Sequence, residues 1–216
     1  MSAANFTGVV GLAPTRNPFN YEKVVQTSRD LATAWLTLDE ITNQLNLFGD
    51  ESQDAYLSGL EVAVRMHIED YLGMPIFNQA YTVYYGAGSL WGSPLTLDLP
   101  EVSQSGTTIN SVKYYSDATP PVLTTVASST YYYDVTGNKV VLTDLPSDLN
   151  TYMTAPVMVN YTVNASILAQ YPVIKQAGLL LLTHLYNNRS ETTAGGLQKI
   201  PYGVDVLLRQ YKPLVM

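Results

Sequence analysis

The stretch that most constrains this chain is 172–189, PVIKQAGLLLLTHLYNNR. It opens on a proline, which suits the first helical position. At about 100° per residue, Lys175, Gln176, Thr183 and Asn187 share one narrow polar stripe. Leu179 and Leu180 border that stripe. Val173, Ile174, Ala177, Gly178, Leu181, Leu182, Leu185 and Tyr186 fill the rest of the cylinder. A helix with so little polar surface has to be covered on more than one side. Gly178, in its middle, costs about 1 kcal/mol relative to alanine. A close helix crossing is therefore expected there, with Gly178, Leu181, Leu182 and Leu185 as the core-packing positions.

The cover has to come from elsewhere in the chain. Thr37-Leu-Asp-Glu40 reads as a capping box, followed by a stripe of Leu38, Ile41, Leu45 and Phe48 that Gly49 ends. Asp50 and Gln53 form a second capping-box pattern. Leu57, Leu60, Val64, Ile68 and Tyr71 then recur at helical spacing, up to a stop at Gly73 and Pro75. These signals predict a helix pair over 38–73. From Ile76 the hydrophobic period changes to two. Strands are expected at 80–85, 95–99, 109–115, 122–126 and 157–163, with a hairpin of 131–135 and 140–143 about Gly137-Asn138. A short helix is expected over 204–211, before Pro213.

The fold class that follows is α+β: a bundle of about four helices with an antiparallel β insertion between helices two and three. The expected divisions are an N-terminal arm at 1–35, a helical core at 36–75 and 165–216, and an inserted β domain at 76–164. Residues 1–30 have little periodicity and cannot build a core alone; they are expected as a disordered tail in a free monomer or, where ordered, as an arm pinned to its own domain or lying on a partner.

Charged residues make up 13% of the chain and tyrosines number 17. Low charge with abundant tyrosine fits a surface covered by other protein. The net charge of −7 argues against gripping nucleic acid through its phosphates. There is no cysteine, which excludes disulfides and thiolate metal sites. The longest unbroken apolar run, 179–182, is too short to span a membrane. His67 and His184 are lone helix residues, read as core or interface histidines. Glu69 and Asp70 point about 100° apart on a helix and are read as a solvated face. No nucleophile elbow, dinucleotide fingerprint or P-loop is present. No enzyme activity, cofactor or metal is expected.

The order of elements nevertheless resembles a known family. LTLDEITNQL, a helix ending in IEDYLGMPI, a β insertion carrying LTLDLP and INSVKYY, the long 172–189 helix and the closing IPYGVDVLLRQYK recur in that order. Within them stand Glu69, Tyr71, Gly73 and Ile76; Asn188 and Arg189; and Pro201, Gly203, Val204, Leu207, Leu208 and Tyr211. The chain so resembles the head–tail connector (adaptor, or head completion) proteins of tailed bacteriophages over most of its length. It departs from them in a longer N-terminal stretch and in a second helix whose basic residues are reduced to Arg65.

The resemblance implies a structural virion protein at the head–tail interface, synthesised in the host bacterial cytoplasm. It implies a homo-oligomeric ring, a dodecamer, beneath the portal protein. The ring would extend the channel for double-stranded DNA, without specific binding, and join the capsid to a stopper or tail-completion protein. Within that reading Arg209, Tyr211, Lys212, Pro213, Leu214, Val215 and Met216 are the expected portal contacts. Leu90, Trp91, Tyr131 and Tyr133 are the expected subunit or tail-side contacts. A carbohydrate- or ligand-binding virion module using the aromatic-rich β domain stays open as the alternative.

Overall fold

The computed structural model describes residues 20–86, 90, 95–100, 106–189 and 203–212. The fold is mixed α+β, with four α-helices and antiparallel sheets among the described residues. In chain order the strands are β1 (Lys23–Arg29), β2 (Gln79–Tyr85), β3 (Leu95–Asp98), β4 (Thr107–Tyr115), β5 (Leu123–Thr125), β6 (Tyr131–Asp134), β7 (Lys139–Leu142) and β8 (Val157–Val163). The helices are α1 (Leu38–Leu45), α2 (Asp54–Leu72), α3 (Pro172–Asn187) and α4 (Val204–Arg209). The described residues fall into two compact units. One is drawn from 20–24, 83–86, 90, 95–100 and 111–159, the other from 25–82, 106–110, 160–189 and 203–212.

Five strands form a sheet in the order β1-β2-β8-β4-β5, and three form a second in the order β3-β7-β6. In the second sheet Leu142 of β7 stands opposite Leu95 of β3 and Tyr131 of β6, all pairs antiparallel. The β6–β7 turn forms where the Gly-Asn signal predicts it. Asp134 Oδ1 accepts from the Thr136 N–H at 2.9 Å, and Asn138 takes φ 50°. Asparagine tolerates that left-handed conformation better than most residues. Strand β1 lies within the segment expected as the arm; its residues are mostly exposed.

The predicted capping box at α1 is present. Thr37 Oγ1 accepts from the Glu40 N–H at 3.2 Å, and Glu40 Oε2 accepts from the Thr37 N–H at 2.8 Å. The helix ends at Asn46, in the left-handed region at φ 56°, and not at Gly49. The second capping box does not form: α2 begins at Asp54, and Gln53 makes no side-chain cap. Asp50 instead accepts from the Ser52 N–H at 3.0 Å in a turn ahead of the helix. That local turn competes with helix initiation. Gly73 terminates α2 as expected, at φ 61°.

The second unit, which holds the four described helices and is the helical unit, has an apolar core centred on Trp35, Leu36, Ile41, Leu57, Val64, Ile68, Ile174, Ala177, Leu182 and Leu208. Leu182 is fully buried, while Leu181 and Leu185 are half-buried against the same cluster. At Gly178 the close neighbour is not a second helix backbone. A Cβ built there would lie 2.7 Å from Cζ3 of Trp35, 3.0 Å from its Cη2 and 3.3 Å from Cδ1 of Leu36. An indole lies across the helix at that point, held by its Nε1–H donating to the Ala169 carbonyl at 2.9 Å.

Gly59, in the second turn of α2, has the opposite surroundings. It is exposed, and a Cβ there would meet nothing within 4 Å. Gly59→Ala is expected to raise the stability of the isolated chain by about 0.5–1 kcal/mol, through a smaller loss of backbone entropy. Urea denaturation checks it, and an unchanged midpoint would contradict the open surroundings.

Candidate interaction surfaces

The helical unit contains a buried charge network that the sequence patterns do not reveal. Glu61, Arg65 and Glu69, on one face of α2, are 2%, 1% and 5% exposed. Glu61 Oε1 lies 3.7 Å from Arg65 Nε and accepts from the Trp35 N–H at 3.1 Å. Arg65 donates through Nη1 to the Thr33 carbonyl at 3.0 Å and lies over the Phe77 ring at 4.8 Å. Burial pushes the Glu61 carboxyl above its usual range, opposed by the Trp35 N–H and the Arg65 charge.

Glu69 corrects the expectation of a solvated Glu69-Asp70 face. Only Asp70 is exposed. Glu69 Oε1 accepts from the Ile76 N–H at 2.8 Å, and Oε2 accepts from Arg29 Nε at 2.8 Å and also from its Nη2. Burial works against the Arg29 charge, but the hydrogen bond and charge of Glu69 outweigh it and raise the guanidinium pKa. Glu69 therefore fastens the chain leaving α2 to the helix and holds it to the end of β1. These groups lie within one unit and position backbone, while the buried Arg65 Nη2 has no hydrogen-bond partner among the described residues. Among the described residues no three His, Asp or Glu side chains gather to hold a metal. His67 and His184, expected in a core or interface, both occupy exposed positions in this chain.

The Asn188-Arg189 pair at the end of α3 is also held. The Arg189 guanidinium stacks over Tyr56 at 4.5 Å and Tyr186 at 4.7 Å, and its Nη2 donates to Gln53 Oε1 at 2.6 Å. This clamp joins the C-terminal end of α3 to the N-terminal end of α2. At the other end of the pair, the Lys212 Nζ sits 4.7 Å over the Tyr71 ring, and Tyr211 meets Tyr171 edge-on at 5.9 Å. Of the expected portal contacts, Tyr211 and Lys212 thus have partners within the chain, Arg209 is exposed, and Pro213, Leu214, Val215 and Met216 lie outside the described residues.

Of the expected subunit or tail-side contacts, Trp91 lies outside the described residues and Leu90 is half-buried. Tyr131 and Tyr133 are half-buried too, and the Tyr133 hydroxyl donates to Asn138 Oδ1 at 2.9 Å. Strand alternation turns the intervening Tyr132 outward, at 56% exposure.

Periodicity did not mark the most exposed large apolar residues as exposed. Phe48 is 90% exposed, Tyr152 97%, Val135 74% and Ile167 72%. Phe48 was expected in the α1 stripe. The helix ends before it, so its side chain points to solvent. Tyr152 sits on a turn where Asn150 Oδ1 accepts from the Tyr152 and Met153 N–H groups at 3.0 and 3.2 Å. Asn150 itself is buried.

No protein-family model matches the chain, and no curated protein matches it. Solved structures do. A chain of the neck of an empty gene transfer agent (GTA) particle, computed with C6 symmetry, matches at TM-score 0.64 and 20% identity, over 90% of this chain and 97% of that one. A chain of the native GTA virion matches at 0.62 and 21%, and one of the native GTA neck computed with C12 symmetry at 0.60 and 18%, each with the same coverage. This chain has their fold. The likeness runs through nearly the whole of both chains and agrees with the head–tail connector resemblance of the sequence.

Proposed function

We propose that this protein is a structural subunit of a virion neck, a head–tail connector that forms a ring below the portal, extends the DNA channel and joins the capsid to the stopper or tail. The observation that carries this reading is a fold shared over 90% of the chain with chains of GTA particles, two of them described as neck structures. Exposed apolar residues on both compact units support it, because a ring subunit presents two different faces to its neighbours and further faces to the parts above and below.

In this reading the helices at 36–75 and 165–216 form a bundle that carries the β residues 76–164 as an insertion. Ring symmetry of the kind seen in the similar necks makes a dodecamer the expected stoichiometry. The net charge of −7 suits a lumen through which DNA moves without being held. The protein acts without catalysis or cofactor, in the virion, after synthesis in the host cytoplasm. Its C-terminal segment from Arg209 onward contacts the portal. The carbohydrate-binding alternative is the weaker reading, because Tyr131 and Tyr133 are half-buried within the chain's own fold.

Electron microscopy of portal-bearing, DNA-filled heads incubated with the purified protein tests the proposal. A ring of added density under the portal is the expected result. Heads left unchanged, with a monomeric protein that binds glycans, would reject it.

A further inference from the structure

The helical unit holds a cavity of about 120 Å³ walled by Leu31, Ala34, Leu38, Ile41, Ser58 and Val62, with Glu61 among them. Its walls come from the loop before α1, from α1 and from the first half of α2, all within the one unit. Leu31 and Ser58 are exposed, so solvent reaches the cavity at its rim. The Ser58 hydroxyl is spent, donating to the Asp54 carbonyl at 2.8 Å. Glu61 is only half spent. Its Oε1 accepts from the Trp35 N–H at 3.1 Å and the Leu36 N–H at 3.5 Å, and is the oxygen that faces Arg65 Nε at 3.7 Å. Its Oε2 accepts no hydrogen bond among the described residues. Arg65 Nη2, buried and itself without a partner, does not supply one. A buried carboxylate oxygen left without a donor is costly.

Size and charge narrow what fits. A cavity of about 150 Å³ takes a benzene molecule, so this one has room for about five heavy atoms. A lysine side chain has that size: four methylene carbons and a nitrogen with three donors. The guanidinium side chain of arginine is larger, and a carboxylate would meet Glu61 as a like charge. A plain aliphatic side chain would fill the space and still leave Oε2 without a donor. No Lys or Arg occurs between Asp30 and Val64. The cations that the fold brings to this stretch from elsewhere are held at other groups: Lys175 at Glu40, and Arg189 at Gln53 and the Tyr56 ring.

We propose that this cavity is a receptor site for one lysine side chain of a partner protein, with the methylenes against Leu31, Leu38 and Val62 and the ammonium donating to Glu61 Oε2. The apolar walls suit the stem, and the one unspent oxygen suits the tip. Glu61 and Arg65 then have a second use beyond holding backbone: they hold the loop wall in place, through Trp35 and Thr33, and leave one acceptor for the incoming group. The site does not depend on the connector reading and stands whether or not the chain forms a ring.

The test titrates the full-length, isotope-labelled protein with Nα-acetyl-lysine methylamide and, separately, with the norleucine compound that lacks only the ammonium. Amide resonances of Ala32, Ala34 and Val62 report the cavity. The expected result is saturable shifts with the lysine compound and binding at least about tenfold weaker with norleucine, the loss of one charge-assisted hydrogen bond. Glu61→Gln is expected to bring the two compounds to equal affinity. Equal binding of the two by the unaltered chain overturns the proposal and leaves a plain apolar cavity. No shift with either compound also overturns it and leaves the cavity to water only. A lysine preference that survives in a folded Glu61→Gln variant overturns it as well, by placing the ammonium elsewhere. The comparison of the two compounds on the unaltered chain decides the matter even where that variant does not fold.

Discussion

Replacing Gly178 by leucine is expected to destabilise the helical unit by about 3 kcal/mol, at the upper end of overpacking costs. On helix propensity alone the change would be favourable by up to about 1 kcal/mol. Packing decides the sign. The first added carbon would already sit 2.7 Å from the Trp35 ring and 3.3 Å from Leu36. The indole has little freedom to retreat, being 3% exposed and bonded through Nε1 to the Ala169 carbonyl. Gly178→Ala is expected to cost less, about 1–2 kcal/mol, since only one carbon has to be accommodated. Combining Gly178→Ala with Trp35→Leu should cost less than the sum of the two single changes, because the cavity and the added carbon occupy the same space. Urea midpoints followed by circular dichroism give all three values. Additive costs would show that the indole is not what excludes a side chain there.

Arg65→Met is expected to cost about 3–5 kcal/mol at neutral pH, because it leaves the Glu61 carboxylate buried without its counter-charge. Glu61 is 2% exposed, with its pKa already raised above 4.5, chiefly by burial. A carboxyl with a raised folded pKa contributes proton-linked stability that is complete below its unfolded pKa. That stability is lost as pH rises through the folded value. The variant should therefore recover stability relative to wild type as pH falls from neutral towards 4.5, in the window between those two values. The Glu61→Gln, Arg65→Met double variant should recover most of the loss at neutral pH, since Gln can still accept from the Trp35 N–H. Denaturation at two pH values and the double-mutant cycle check both claims. A single-variant cost that does not change with pH would argue against a charged Glu61.

Much of this architecture was legible in the residues. The Thr37–Glu40 box, the Gly73 stop, the Pro172 start and the turn at Gly137-Asn138 depend on local backbone chemistry, and each appears where its signal stands. The alternation in 157–163 likewise became β8 with the same bounds. Periodicity erred where the answer depended on a neighbour distant in sequence. Glu69 looked like half of a solvated acidic pair because Arg29, its partner, lies 40 residues away in a segment without pattern. Phe48 matched a helical spacing, but the backbone turned left-handed at Asn46 and stranded it outside.

Gly178 separates the two kinds of information most clearly. Composition and spacing alone established that 172–189 is a helix needing cover on several sides, and that a glycine in its middle needs a packing reason. Local energetics set both, and local energetics can be read from neighbouring letters. What fills the notch was decided by tertiary structure: the Trp35 indole, 143 positions earlier in sequence by the numbering of the two residues. The same holds for the pairing of Glu61 with Arg65 in the core. Side-chain burial and long-range contacts follow from how the elements pack, which no single segment encodes.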